Sequence, residues 1–102
     1  MKFPYFSKAS QILFVSTAYN TNNSVIIEKD GYILCNAFGM GTEGSIFVNG
    51  FRVAQGRELD SMYDHDLNLI PVKKGDIISI ATTVYYNSGE GGGFVYWLPF
   101  KR

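Results

Sequence analysis

A single cysteine, Cys35, stands in the whole chain. An intrachain disulfide is therefore impossible, and the small secreted disulfide scaffold is excluded with it. An excess of charge is also missing, since Lys+Arg and Asp+Glu number nine each. Nucleic acids and anionic membrane surfaces select basic patches, so no nucleic-acid partner is expected. Zero net charge also offers little resistance to self-association. No apolar run approaches the ~20 residues that span a bilayer, so no membrane insertion is expected. The N-terminus, Met1-Lys2-Phe3-Pro4-Tyr5-Phe6-Ser7-Lys8, lacks the long uncharged core of a secretion signal. Synthesis in a bacterial cytoplasm is expected, with the product staying soluble or leaving by lysis. Only one histidine is present, His65. It has no partner imidazole or thiol at zinc-site spacing, and a cysteine nucleophile would have no other base. Cys35 lies in the apolar run Tyr32 to Phe38 and reads as a buried small hydrophobe.

What the sequence does hold is β signal. At 102 residues it is one domain's length, read as a single domain over 1–102. Turn residues cut it into short runs rich in β-branched and aromatic residues: Gln11–Ala18, Ser24–Glu28, Tyr32–Phe38, Ser45–Val48, Phe51–Ala54, Leu67–Val72, Ile77–Tyr86 and Phe94–Phe100. Asn49-Gly50 links two of them, and Asn-Gly is the strongest short hairpin signal because a type I′ turn needs positive φ at both positions. Pro71 marks its run as an edge or a strand end. The one polar connection of length is Arg57 to Asp66, with at most a turn or two of helix around Arg57–Tyr63. About eight strands at this spacing predict an all-β fold, an antiparallel β-sandwich of two sheets or a barrel. Two of the runs are apolar on both faces. Tyr32, Leu34 and Phe38 oppose Ile33, Cys35 and Ala37, while Phe94, Tyr96, Leu98 and Phe100 oppose Val95 and Trp97. A sandwich has one core, so the second apolar face predicts a subunit interface or a covering segment.

Several motifs imitate chemistry without completing it. Gly39-Met40-Gly41-Thr42-Glu43-Gly44 fits G-x-G-x-x-G, but a strand follows where the dinucleotide fingerprint needs a helix. The glycines read as a loop. Gly89 to Gly93 lacks the Lys-Ser/Thr of a phosphate loop and reads as a mobile hairpin tip. Asp64-His65-Asp66-Leu67-Asn68 begins like a calcium loop, but Leu69 and Gly75 stand where glycine and glutamate are required. In an extended chain Asp64, Asp66 and Asn68 would still share a face. The pairs Glu58 with Asp60 and Asp64 with Asp66 suit glycoside hydrolysis by type, although acids in a polar loop are usually just solvated. No catalytic residue, metal site or cofactor is expected. Aromatics make up 16% of the chain, and tyrosine supplies rigid amphipathic contact area. Tyr63, Asp64, His65 and Asp66, with Tyr86 and Asn87 near the glycine tip, form the candidate binding set.

Asp30-Gly31-Tyr32-Ile33, a glycine-rich loop, then Ile46-Phe47-Val48-Asn49-Gly50-Phe51-Arg52-Val53 resembles small phage tail-fibre head domains. Ile70-Pro71-Val72-Lys73-Lys74-Gly75-Asp76-Ile77-Ile78 and the closing Leu98-Pro99-Phe100 extend the resemblance over residues 30–100. The Gly-Asp strand entry is also similar to the tumour-necrosis-factor-like jelly roll of complement-type heads. The resemblance implies a jelly-roll-like head, a homotrimer at a virion fibre tip, binding a host cell-surface receptor such as a glycan. It carries over no catalytic residue. This chain departs from the pattern by starting at Met1 without a fibrous shaft, as a stand-alone tip, a decoration protein or an excised piece would. The alternatives from the residues are a hydrolytic domain using loop carboxylates and a monomeric carbohydrate-binding module.

Overall fold

The fold is seen in a computed structural model that describes residues 2–59, 62–85 and 89–101. The strands are β1 (Phe3–Pro4), β2 (Ser10–Thr17), β3 (Thr21–Ile26), β4 (Gly31–Met40), β5 (Thr42–Val48), β6 (Phe51–Glu58), β7 (Asp64–Val72), β8 (Ile77–Val84), β9 (Glu90–Leu98) and β10 (Phe100–Lys101). Strands β2-β9-β4-β7 form one antiparallel sheet and β3-β8-β5-β6 a second, while β1 and β10 make a two-stranded ribbon. From β2 to β9 each connection crosses to the other sheet, except the β5–β6 hairpin. That alternation of eight strands is a jelly-roll sandwich.

Alternation along the strands builds the core. Ile33, Cys35 and Ala37 of β4 and Val95 of β9 point inward from the first sheet and are fully buried. Ile46 of β5 and Ile78 and Ile80 of β8 meet them from the second sheet. The Asn49-Gly50 hairpin forms as its sequence predicts, with φ of 51° and 84°. Asn49 also accepts the Ile77 amide and donates to Asp76, fixing the turn to the next strand.

The connections gather at two ends. At one end Tyr85 N–H donates to Gly41 O, Thr82 Oγ1 to Tyr19 O, and Val84 N–H to Asn20 Oδ1. At the other, Ile27 N–H donates to Asp76 O, and Lys74 N–H to the Asp30 carboxylate.

Three expectations about loops are corrected. The polar stretch Arg57 to Asp66 is largely strand, because β6 runs to Glu58 and β7 begins at Asp64; the helical turn expected there is absent among the described residues. The glycines of 39–44 belong to β4 and β5, with a single non-strand residue, Gly41 at φ 63°, carrying the chain between sheets. Gly91 to Gly93 are buried in β9 rather than a mobile tip. The reason is proximity. A Cβ on Gly44 would strike the Gly92 and Phe38 backbones, and one on Gly92, at φ 148°, would strike the Val15 carbonyl. Glycine is the residue that permits such backbone approach.

Candidate functional site

The pleat of β7 splits the candidate binding residues between two faces. Asp64, Asp66 and Asn68 point inward toward the facing sheet. There the Asp66 carboxylate accepts the Gln55 amide at 2.9 Å, and Asp64 accepts the Arg57 amide at 2.9 Å. Asn68 Nδ2 donates to Val53 O at 2.8 Å. These three side chains satisfy backbone groups along the free edge of β6, where no further strand pairs. They act as clamps between the two sheets, which is a structural employment for Asp64 and Asp66. Tyr63 and His65 go the other way. Their rings stack at 5.4 Å and 18°, with Phe38 at 6.3 Å from His65. Tyr86 and Asn87 lie outside the described residues, as does Asp60.

Tyr63 and His65 border a larger feature, the outer face of the first sheet. Cross-strand register places Phe14, Phe94, Asn36 and Leu67 in one row across it, and Gln11, Tyr96, Leu34 and Leu69 in the next. Phe14 is 55% and Leu67 60% exposed. Asn36 sits amid these apolar side chains, and its Oδ1 is buried without a hydrogen-bond donor. The far part of the face, Tyr32 and Leu98, is covered, since Leu98 is fully buried and Tyr32 OH donates to Lys2 O of the N-terminal segment. The N-terminal segment thus covers one end of this second apolar face, and the rest lies open.

The outer face of the second sheet is polar around Glu43, while the paired Ile26 and Ile77 stand exposed at its other end. Glu43 of β5 is its hub, accepting hydrogen bonds from Gln55 Nε2 at 2.7 Å, Tyr85 OH at 2.9 Å and Ser45 Oγ at 3.1 Å, with Arg52 at 3.2 Å. Burial pushes the Glu43 carboxyl upward, but the bonds from Tyr85, Gln55 and Ser45 and the Arg52 charge outweigh it. The group therefore lies below the usual carboxylate range. Arg52 and Arg57 lie over the Phe47 and Tyr85 rings.

A concavity of about 390 Å³ opens between the edge strands β2 and β3. Ile12, Val25, Ile26 and Ile27 and the indole of Trp97 form its apolar lining, and the exposed Ser10, Glu28 and Lys29 complete it. Trp97 Nε1 donates to Lys29 O at 3.1 Å, which fixes the ring.

No known family model matches this chain, and no curated protein is similar to it in sequence.

Burial pushes the Cys35 thiol up to about 12, with the Asp66 charge adding to the shift, so it is no thiolate nucleophile at neutral pH. No group of three or more His, Cys, Asp or Glu among the described residues is placed to hold a metal ion. Among the described residues no helix is long and apolar enough to cross a membrane. Tyr19, 77% exposed, joins Tyr63 and Tyr85 near the first loop end. Of these tyrosines the sequence pointed to Tyr63; it held no sign of the Trp97 concavity, because Trp97 reads there as one more apolar residue in a doubly apolar strand.

Proposed function

We propose that this protein is a non-enzymatic head module of the phage tail-fibre or virion-surface kind. It assembles as a homotrimer through the outer face of its first sheet and binds a host-surface receptor, such as a glycan, at its tyrosine-bearing end. The observation that carries the reading is the contrast between the two outer faces. One is a solvated polar network around Glu43; the other is an open apolar row centred on Phe14, Phe94 and Leu67. Four strands at ~4.8 Å spacing and the open part of β7 at ~3.3 Å per residue give that face a footprint on the order of 400 Å². Patches of this extent are the largest that a typical soluble monomer exposes and are often functional. Asn36 Oδ1, an acceptor without a donor, supports the same reading. Such a group costs about 1–3 kcal/mol, and a polar side chain within an apolar interface fixes its register. A non-enzymatic role fits the engagement of Asp64 and Asp66 on β6 amides and the inert Cys35.

Light scattering tests assembly. The expected mass is three times the 11.4 kDa of the chain. Phe14→Asp with Leu67→Asp is expected to return the mass to 11.4 kDa with circular dichroism unchanged. A monomeric wild type at micromolar concentration would overturn the assembly. Adsorption of labelled protein to bacterial cells, weakened by Tyr19→Ala with Tyr63→Ala, tests the receptor role.

A further inference from the structure

We infer that the concavity between β2 and β3 is a second binding site, one that takes a neutral sugar ring. This inference rests on the reading of the protein as a binding module and places a ligand away from its tyrosine-bearing end. The two edges of the sandwich differ. At the β6–β7 edge, Asp64, Asp66 and Asn68 tie the sheets together by hydrogen bonds to backbone. At the β2–β3 edge no such clamp is present among the described residues, and the sheets leave a cavity of about 390 Å³. That volume falls in the range of small-ligand sites, roughly 300–1,000 Å³.

The lining specifies the ligand. Trp97 presents an indole already oriented by its bond to Lys29 O, so no ring ordering is needed on binding. An indole face beside Ile12 and Val25 suits a ring with an apolar side, and an aromatic wall gives contact area at small entropic cost. Glu28 and Lys29 enter no ion pair among the described residues, so both keep hydrogen-bonding capacity. Their charges cancel, which disfavours a strongly anionic or cationic ligand and suits hydroxyl groups that accept from an ammonium and donate to a carboxylate. Ser10 adds a hydroxyl to the same rim. The cavity is open to solvent on one side, as the end of a glycan chain requires.

Trp97 is the only tryptophan in the chain, so its emission reports on this cavity alone. The intact protein is titrated separately with glucose, galactose, mannose, N-acetylglucosamine and rhamnose. A saturable emission change is expected with at least one of them. Glu28→Ala, an exposed change that leaves the core untouched, is expected to weaken that response about tenfold or more, as loss of a charged hydrogen-bond partner does. Tyr63→Ala is expected to leave it unchanged. Absence of a saturable response to all five sugars would overturn the inference, as would one indifferent to Glu28→Ala. A response confined to an apolar dye or to N-acetylneuraminic acid would overturn it too. Cell adsorption separates this from the receptor role. A sugar response without adsorption keeps the site and removes the receptor reading, and adsorption with unresponsive Trp97 emission does the reverse.

Discussion

Replacing Asp66 by alanine should show whether β7 is a clamp or a solvated loop. In the fold its carboxylate accepts the Gln55 amide at 2.9 Å in a part-buried position. Removal leaves that edge amide without an acceptor. A hydrogen bond to a charged group contributes about 1.5–3 kcal/mol, so Asp66→Ala is expected to cost about 2 kcal/mol. An unfolding entropy of ~2.1 cal/mol/K per residue gives this chain ~0.2 kcal/mol/K, so the melting temperature should fall by about 10 °C. Asp66→Asn keeps an oxygen in the same place and should lose less than half as much. Leu67→Ala, the next residue on the opposite face, should cost no more than ~0.5 kcal/mol in the monomer. The comparison belongs in a Phe14→Asp background or at fixed protein concentration, because assembly adds its own stability. Calorimetry at neutral pH reads the difference. An Asp66→Ala loss below ~0.5 kcal/mol would refute the clamp, and so would a Leu67→Ala loss of equal size.

Glu43 has a folded pKa below its ordinary value of 4.5, so its contribution to stability is present above pH 4.5 and fades as pH falls through the folded value; in denaturant melts, the gap between wild type and Glu43→Gln should be constant near neutrality and close in acid. Cys35 is fully buried with its thiol pushed up to about 12, so a thiol reagent at pH 8 should label it only after denaturant is added; fast labelling of the native protein would contradict its placement in the core. EDTA should leave the melting temperature unchanged, and a clear drop would reveal a cation held by the folded state.

The hairpin at Asn49-Gly50 and the alternating strands were legible in the sequence because turn chemistry and the two-residue pleat act locally. Residues 55–58 and 64–66 were not, for a physical reason. Their side chains are polar because they serve sheet edges, where β7 carboxylates bond to β6 amides across the sandwich, and polarity without a tertiary partner in view reads as a loop. Gly91 to Gly93 escaped for the opposite reason: a strand made of glycine has no side-chain period to detect, and its justification, the approach of Gly44 and Val15, lies in other strands. Of the candidate site, Tyr63 stands beside the rings of His65 and Phe38. Asp64 and Asp66 were grouped with it only because adjacency in sequence hides the fact that neighbours on a strand face opposite ways.

Strand β9 reads Glu90-Gly91-Gly92-Gly93-Phe94-Val95-Tyr96-Trp97-Leu98, and along the face of the buried Val95 its residues Gly91, Gly93, Val95 and Trp97 increase in volume. Where it has no side chains, the facing backbone of Gly44 comes into contact; where it carries Trp97, the sheets stand apart and a cavity remains. Along β9 the two sheets pass from close backbone approach at the glycines to a cavity at Trp97. The width of the mouth at Trp97 is therefore coupled to residues at the opposite end of the same strand. A methyl group added at Gly93 would press on the Asn36 carbonyl and the Ile46 side chain, some four residues or ~13 Å of strand from Trp97. Because packed interiors transmit strain rather than absorb it, the thin end sets the aperture of the thick one.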